Sequence, residues 1–381
     1  MSSLFEMPTG VLLRAQQVGA AIEHGVTALG GKPIEVDAWQ IISGRAALLG
    51  LGPPSRISSG GATRLLSSAD GWCALTLIRQ DDFESVPALL EGHETDARSR
   101  EEDSTDDLWD AVAAVARNRR GADFVARARL LDMPAATLGE TTPSEPTVTP
   151  YGTPAHTSIA DVLVVDLSSM WAGPLCTRLL AAAGATVVKV ETPARPDGTR
   201  VGNPGFFDWL NSEKLCCTID FNSDELTRLL RAADVVIEGS RPSALARRGQ
   251  GAERVPPRPG RVWVRISGYG SAHPDRVAFG DVAAVAGGLV MPGPAFCGDA
   301  IADPLTGLAA ADAILGALTS GGGAIIDVSM AGVAGLYATL PSLPVHRGQP
   351  RAPSPPVRAH DLGADTRRVA DVVEARLGAG C

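Results

Sequence analysis

From residue 159 onward the apolar positions fall into short, unbroken runs, at 162–167, 186–191, 215–219, 235–238 and 261–267. Such runs of Val, Ile and Leu lack polar/apolar alternation, so they predict strands covered on both faces, the mark of a parallel sheet flanked by helices. Helix-length segments at 174–183 and 224–232 lie between them, and 304–319, 324–328 and 330–340 read as helix, strand and helix. The predicted fold is therefore α/β, a Rossmann-like doubly wound parallel sheet spanning 158–340.

The first 140 residues carry a different pattern, with strands predicted at 64–67 and 72–79 and helices at 82–90 and 105–117. Strands followed by helices point to a smaller α+β domain at the N-terminus, residues 1–140. Residues 141–157, TTPSEPTVTPYGTPAHT, have the Pro and Thr content of an extended linker, and an ordered surface strap is the alternative. A Pro-rich tail, 341–381, is expected to return to the large domain.

Charge and composition narrow the function classes. The 381 residues carry 43 acidic and 34 basic side chains, a net charge of -9, which disfavours a general nucleic-acid binder. A hydrophobic fraction of 45% against 20% charged excludes wholesale disorder. Apolar runs fall far short of the roughly 18 residues that span a bilayer, and residues 1–8 lack the pattern of a secretory leader, so the expectation is a cytoplasmic protein without a membrane partner. The six cysteines form no CxxC pair and no ligand spacing with the six histidines, which predicts reduced thiols and no metal site. GxSxG, Walker A, GxGxxG and HExxH patterns are absent from the sequence.

Candidate chemistry gathers in loops at the carboxyl ends of the predicted strands, where open α/β sheets bind ligands. SSMWAGPLCTRLL (168–180) places small residues and Pro174 at a helix start, whose amides suit an anion. GTR (198–200) supplies Arg200. EGSRPSALARRG (238–249) supplies Arg241, Arg247 and Arg248, a phosphate-binding cluster or a solvated helix face. In CGDAIADPLTGLAAADAIL (297–315), Asp303 is either a helix cap or a carboxylate nucleophile, with Asp299 as its rival. His273 lies in the Gly-rich loop 268–274, where a solvated side chain is the default.

Taken in order, DVLVVDLSSMWAGPLCTRLLAAAGATVVKVE, NSEKLCCTIDFNS, ADVVIEGSRPSALARRG, VWVRISGYGSAHP, FGDVAAVAGGL, ADPLTGLAAADAILGAL and GAIIDVSMAGVAG resemble the family III CoA-transferases, the CaiB/BaiF group that includes formyl-CoA transferases and α-methylacyl-CoA racemases. The resemblance implies a nucleophilic aspartate at Asp303, opening the D-x-x-x-G segment 303–307. Arg200, Lys214 and Arg247 match basic positions common in the family, which implies CoA contacts there, and Trp171, Ala172, Gly173 and Arg241 are further CoA-site candidates from the loops above, the amides of Ala172 and Gly173 as oxyanion donors. The resemblance also implies acyl-CoA and carboxylate substrates, coenzyme A as substrate with no further cofactor, and a homodimer that is interlocked in the family. Residues 67–90 and 107–140 look like the family's small domain moved to the front, so the chain resembles a rearranged member.

Several positions depart from the family pattern: Trp171, Thr192, Gly239 and Ser240 replace residues that often contact CoA, and Gly280 stands where the racemases carry a histidine before the position of Asp281. The implied activity is CoA transfer from an acyl-CoA to a carboxylic acid through an aspartyl anhydride and an aspartyl-CoA thioester. Two alternatives remain: a degenerate member that binds CoA esters or a partner without turnover, and an acyl-CoA racemase or isomerase, which would lack its second base.

Overall fold

The structure, a computed structural model, describes residues 4–90, 105–239, 243–354 and 357–378. Strand β1 (Phe5–Pro8) leads into helices α1 (Thr9–Ala28) and α2 (Ala38–Leu49). A small unit follows: β2 (Thr63–Ser67), β3 (Trp72–Thr76), α3 (Gln80–Leu90), α4 (Thr105–Arg117), α5 (Gly121–Leu130) and β4 (Ala135–Thr137). After β5 (Thr147–Pro150) comes the alternation read from the sequence: β6 (Leu163–Asp166), α6 (Ala172–Ala182), β7 (Thr186–Glu191), α7 (Pro204–Asn211), β8 (Leu215–Thr218), α8 (Asp224–Ala232), β9 (Val235–Glu238), α9 (Ser243–Arg247) and β10 (Val262–Ser267). Helix α10 (Gly280–Gly287), the short strands β11 (Val290–Met291) and β12 (Ala295–Phe296), α11 (Ala302–Thr319), β13 (Ala324–Ser329), α12 (Met330–Ala338), β14 (Val345–Gly348) and α13 (Thr366–Gly378) complete the chain.

Seven strands form the main sheet in the order β5-β13-β10-β9-β6-β7-β8. All pairs are parallel except β5 with β13, so six strands share one direction and the doubly wound α/β expectation holds. From β6 the chain winds outward through β7 and β8, then crosses back to β9, β10 and β13. The order reverses between β6 and β9, and their carboxyl ends open the crevice at which such sheets bind ligands. The continuous apolar strands are buried on both faces: Val164, Val235 and Val264 face one core, and Val165, Val236 and Trp263 face the other. Among the described residues no helix is long and apolar enough to cross a membrane.

The expected border at residue 140 is corrected. Strands β2, β3 and β4 with α3, α4 and α5 do form a separate small α+β core, around Leu75, Trp109 and Phe124. Helices α1 and α2, however, bury Val11, Ile22, Val26 and Ile42 in the core of the large sheet. In α1 the buried positions 11, 15, 18, 22 and 26 recur at helical spacing and form one apolar face. That face packs on α11, with Gly25 close enough that a Cβ there would stand 3.0 Å from Leu315.

The segment 141–157 is an ordered strap, because β5 adds to the sheet edge with Val148 opposite Ile326. In the tail, β14 pairs with β1, and Asp365, just before α13, accepts the Cys216 amide at 2.8 Å. Cys73, Cys176, Cys216, Cys217 and Cys297 are all buried free thiols, and Cys381 lies outside the described residues.

Candidate active site

At the switch point the loop after β6 is held from below by a buried charge network. Asp166, at the end of β6, accepts hydrogen bonds from the Ser168 amide at 3.0 Å, the Thr177 hydroxyl at 2.6 Å and the Lys214 ammonium at 3.0 Å. Lys189, on β7, donates to the Ser168 carbonyl and pairs with Asp197 at 2.7 Å, and Asp197 also receives the Met170 amide. Glu191 accepts the Asp197 amide at 2.8 Å and pairs with Arg200 at 2.6 Å. Burial alone would raise Asp166, but Lys214 and Lys189 pull it down to about 2. Burial likewise opposes the charge on Lys189, and Asp197 and Asp166 hold it above the usual lysine value.

This network maintains a strained turn. Met170 has φ +72°, a left-handed conformation costly for a non-glycine residue, and its amide is fixed on Asp197. The chain then enters α6 at Ala172. Gly173 and Gly239 allow the two switch-point loops to touch, since a Cβ on either would lie 2.3–2.5 Å from the Ser168 Cβ. Gly307 gives α11 a similarly close approach to the Ala172 carbonyl, 2.8 Å from where its Cβ would stand. In a parallel βαβ sheet the helices run against the strands, so the N-termini of α6 and α11 both open at the carboxyl edge.

Asp303 lies in the first turn of α11, half-buried, and its Oδ2 accepts the Gly280 amide of α10 at 3.1 Å. Asp281, in the first turn of α10, accepts the Ala300 amide at 3.1 Å. Asp299 is buried and pairs through Oδ1 with Arg45 of α2 at 2.5 Å, while its Oδ2 has no hydrogen-bond partner among the described residues. The Arg45 guanidinium lies 5.7 Å from the ring centroids of both Trp171 and Phe206, which meet edge to face at 5.4 Å. Three carboxyls thus share one guanidinium.

Burial outweighs Arg45 and the Gly280 amide and pushes Asp303 up to about 7. Asp281 rises to about 7 through burial and the neighbouring Asp299, and Asp299 itself is raised by burial against the pull of Arg45. A carboxyl that titrates near neutrality beside two helix N-termini can be an anion at the moment of attack and remain a reactive nucleophile. Among the described residues no group of three or more His, Cys, Asp or Glu side chains is arranged to hold a metal ion.

The residues expected from sequence are placed unevenly. Trp171, Ala172 and Gly173 form the start of α6 and reach the Asp303 cluster through Arg45. Arg200 is engaged by Glu191 and lies 4.0 Å over the Phe207 ring. Lys214 is corrected from a CoA contact to an interior residue: it is 1% exposed and its ammonium donates to Asp166, Asn211 and the Pro174 carbonyl. Arg247 is exposed and stands 4.0 Å from Asp275, and Arg241 lies outside the described residues. The sequence reading missed Arg45, Lys189 and Asp197. The helical spacing of α1 and α2 was the available signal for the element that carries Arg45.

The sequence profile described as CoA-transferase family III matches residues 159–365. A succinyl-CoA–D-citramalate CoA-transferase of Chloroflexus aurantiacus is 34% identical over 197 residues, 45% of this chain and 48% of that protein. A formyl-CoA:oxalate CoA-transferase of Rhodopseudomonas palustris is 33% identical over 176 residues, 41% of each chain. The crystal structure of a CAIB/BAIF family protein from Brucella suis aligns over 47% of this chain and 55% of that one, with 30% identity and a TM-score of 0.43. The chain spans about half the length of the curated relatives it matches. The matched residues cover the whole run from β6 to the start of α13, Asp303 included, and the chain belongs to CoA-transferase family III.

Proposed function

We propose that the protein transfers CoA from an acyl-CoA thioester to a free carboxylic acid, with Asp303 as the covalent nucleophile. The observation that carries this reading is the placement of Asp303: a half-buried carboxyl at the N-terminus of α11, at the carboxyl edge of the sheet, titrating near neutrality. In the first step Asp303 attacks the thioester carbonyl, forming a mixed anhydride and releasing CoA thiolate. The thiolate attacks the aspartyl carbon and expels the donor acid. The acceptor carboxylate then displaces CoA from the aspartyl thioester, and the returning thiolate cleaves the second anhydride to give the new acyl-CoA. As written, the reaction needs no metal or redox cofactor. Names of the relatives, which pair succinyl-CoA with D-citramalate and formyl-CoA with oxalate, support small acyl groups and small acids as the substrate class. A cytoplasmic homodimer is the assembly proposed, in keeping with the family resemblance.

Racemisation is less well supported. A base directly before Asp281 would occupy position 280, where a Cβ would already stand 2.3 Å from both the Ala300 carbonyl oxygen and Asp303 Oδ2. A second reading, binding of CoA esters without turnover, draws on the internal engagement of Lys214 and Arg200. Incubation with succinyl-CoA followed by mass spectrometry of the intact chain separates the two. Transfer requires a covalent CoA adduct that maps to Asp303 and is lost in Asp303→Asn, whereas mere binding leaves the mass unchanged.

A further inference from the structure

The loops that meet beside Asp303 hold each other by a reciprocal pair of hydrogen bonds from main-chain amides to side-chain carboxylates. The Gly280 N–H, opening α10, donates to Asp303 Oδ2 at 3.1 Å, and the Ala300 N–H, just before α11, donates to Asp281 Oδ1 at 3.1 Å. Each helix's first-turn carboxylate therefore anchors the backbone that leads into the other helix. Ala300 adopts φ +42° to present its amide, an unfavourable conformation for a residue with a Cβ. Only glycine fits position 280, because any Cβ there would collide with Asp303 Oδ2 and the Ala300 carbonyl. The arrangement makes the two oxygens of Asp303 unequal: Oδ2 is tied to the main chain, and a half-turn of the carboxyl would break that bond within a crowded acidic cluster.

We propose that the Gly280 amide keeps Oδ2 as the permanent carbonyl oxygen of Asp303 and serves as its oxyanion donor, so that only Oδ1 exchanges with the carboxylic acids during turnover. The inference rests on CoA transfer through Asp303. Oδ1 forms the bond to the acyl carbon in the first anhydride. When thiolate sulfur attacks Cγ, the carbonyl electron pair moves to Oδ2, facing the Gly280 N–H. Collapse breaks Cγ–Oδ1, and Oδ1 departs in the donor acid. The acceptor carboxylate then attacks Cγ, places the electron pair on Oδ2 once more, and expels thiolate. After thiolate cleaves the second anhydride at the acyl carbon, one acceptor oxygen remains on Asp303 in the place of Oδ1. A preorganised amide at this position stabilises charge that develops only in the transition states.

The test uses the unmodified chain turning over succinyl-CoA with excess succinate carrying oxygen-18 at every carboxyl oxygen, followed by digestion and mass spectrometry of the peptide containing Asp303. The expected result is one labelled oxygen on Asp303 and no second one, however many turnovers have passed. Two labelled oxygens overturn the inference and leave the covalent mechanism standing. No label during active turnover, or no turnover at all, overturns the mechanism and this inference with it. In a folded Gly280→Ala chain the methyl displaces the carboxylate, so adduct formation is expected to slow by roughly 10²–10³-fold, as for loss of one oxyanion donor. Adduct formation at the unmodified rate in that variant also counts against the Gly280 amide.

Discussion

Two buried groups of charges lie at the same edge of the sheet and behave in opposite ways. Beneath the β6 loop, Asp166, Asp197 and Glu191 face Lys189, Lys214 and Arg200, one partner for each, and Asp166 is drawn down to about 2. Beside α11, Asp281, Asp299 and Asp303 share Arg45 alone among the described residues, and both Asp281 and Asp303 are pushed up to about 7. Removal from water is common to both groups, so the number of cationic partners decides the outcome. A balanced network locks its carboxylates and fixes a backbone turn. An underbalanced one leaves a carboxyl poised between its acid and its nucleophilic form.

The largest contrast is expected from removing one carboxyl in each group. Asp303→Asn should abolish transfer, by about 10³-fold or more, since the neighbouring Asp281 and Asp299 are engaged by the Ala300 amide and by Arg45. The same change removes a carboxyl whose charge the fold disfavours, so urea unfolding should find the variant at least as stable as the parent. Asp166→Asn should do the reverse, leaving Lys214 buried without its counter-charge and costing about 3–5 kcal/mol. A stable Asp166→Asn chain would refute the structural role given to the network.

Lys214→Met sharpens the comparison, because the same residue was expected from sequence to contact CoA. Loss of stability with unchanged CoA affinity in the folded protein is predicted, and calorimetric titration with CoA checks it. Arg45→Met should shift the acidic limb of the rate profile to higher pH, because Asp303 would lose the cation that opposes its burial. A shift of about one pH unit corresponds to roughly tenfold less nucleophile on the acid side of that limb. An unchanged limb would detach Arg45 from Asp303.

Stability itself should carry the signature of both groups. Between about pH 4 and pH 7 the native Asp281 and Asp303 hold protons that the unfolded chain has released, so their contribution to stability falls as pH rises through their values of about 7. Asp166 has the opposite sign: its contribution is present above the unfolded value and is lost as pH falls toward about 2. Urea midpoints for Asp303→Asn and the parent should therefore diverge as pH rises toward neutrality. The smallest effect belongs to Arg247→Ala, at an exposed side chain: a raised Michaelis constant for acyl-CoA by a few-fold, with turnover unchanged.

Much of the large domain was legible because its strands are covered on both faces, and an unbroken run such as LVVD at 163–166 has few other uses. That Asp303 stands in the first turn of a helix was legible because Pro304 and an apolar small-residue run follow it. The ends of interactions that cross the chain were not. Arg45 gains its meaning from Asp299, 254 positions away, and Lys214 from Asp166, 48 positions away. Lys214 and Arg200, which the family resemblance implies as CoA contacts, each have an internal acidic partner that lies far along the chain or across a loop and that no sequence motif displays. The border at 140 misled for a related reason: α1 and α2 precede the small unit in sequence but share a core with α11.

The central claim, that a carboxyl titrating near neutrality at Asp303 is the covalent nucleophile, is tested most directly by the rate of adduct formation with succinyl-CoA from about pH 5 to about pH 9, read by quenched-flow mass spectrometry. The account predicts an adduct confined to Asp303 whose formation rate rises through a single limb near pH 7 and then levels off. An adduct on another residue, or a rate on Asp303 that is already level at pH 5, would contradict it.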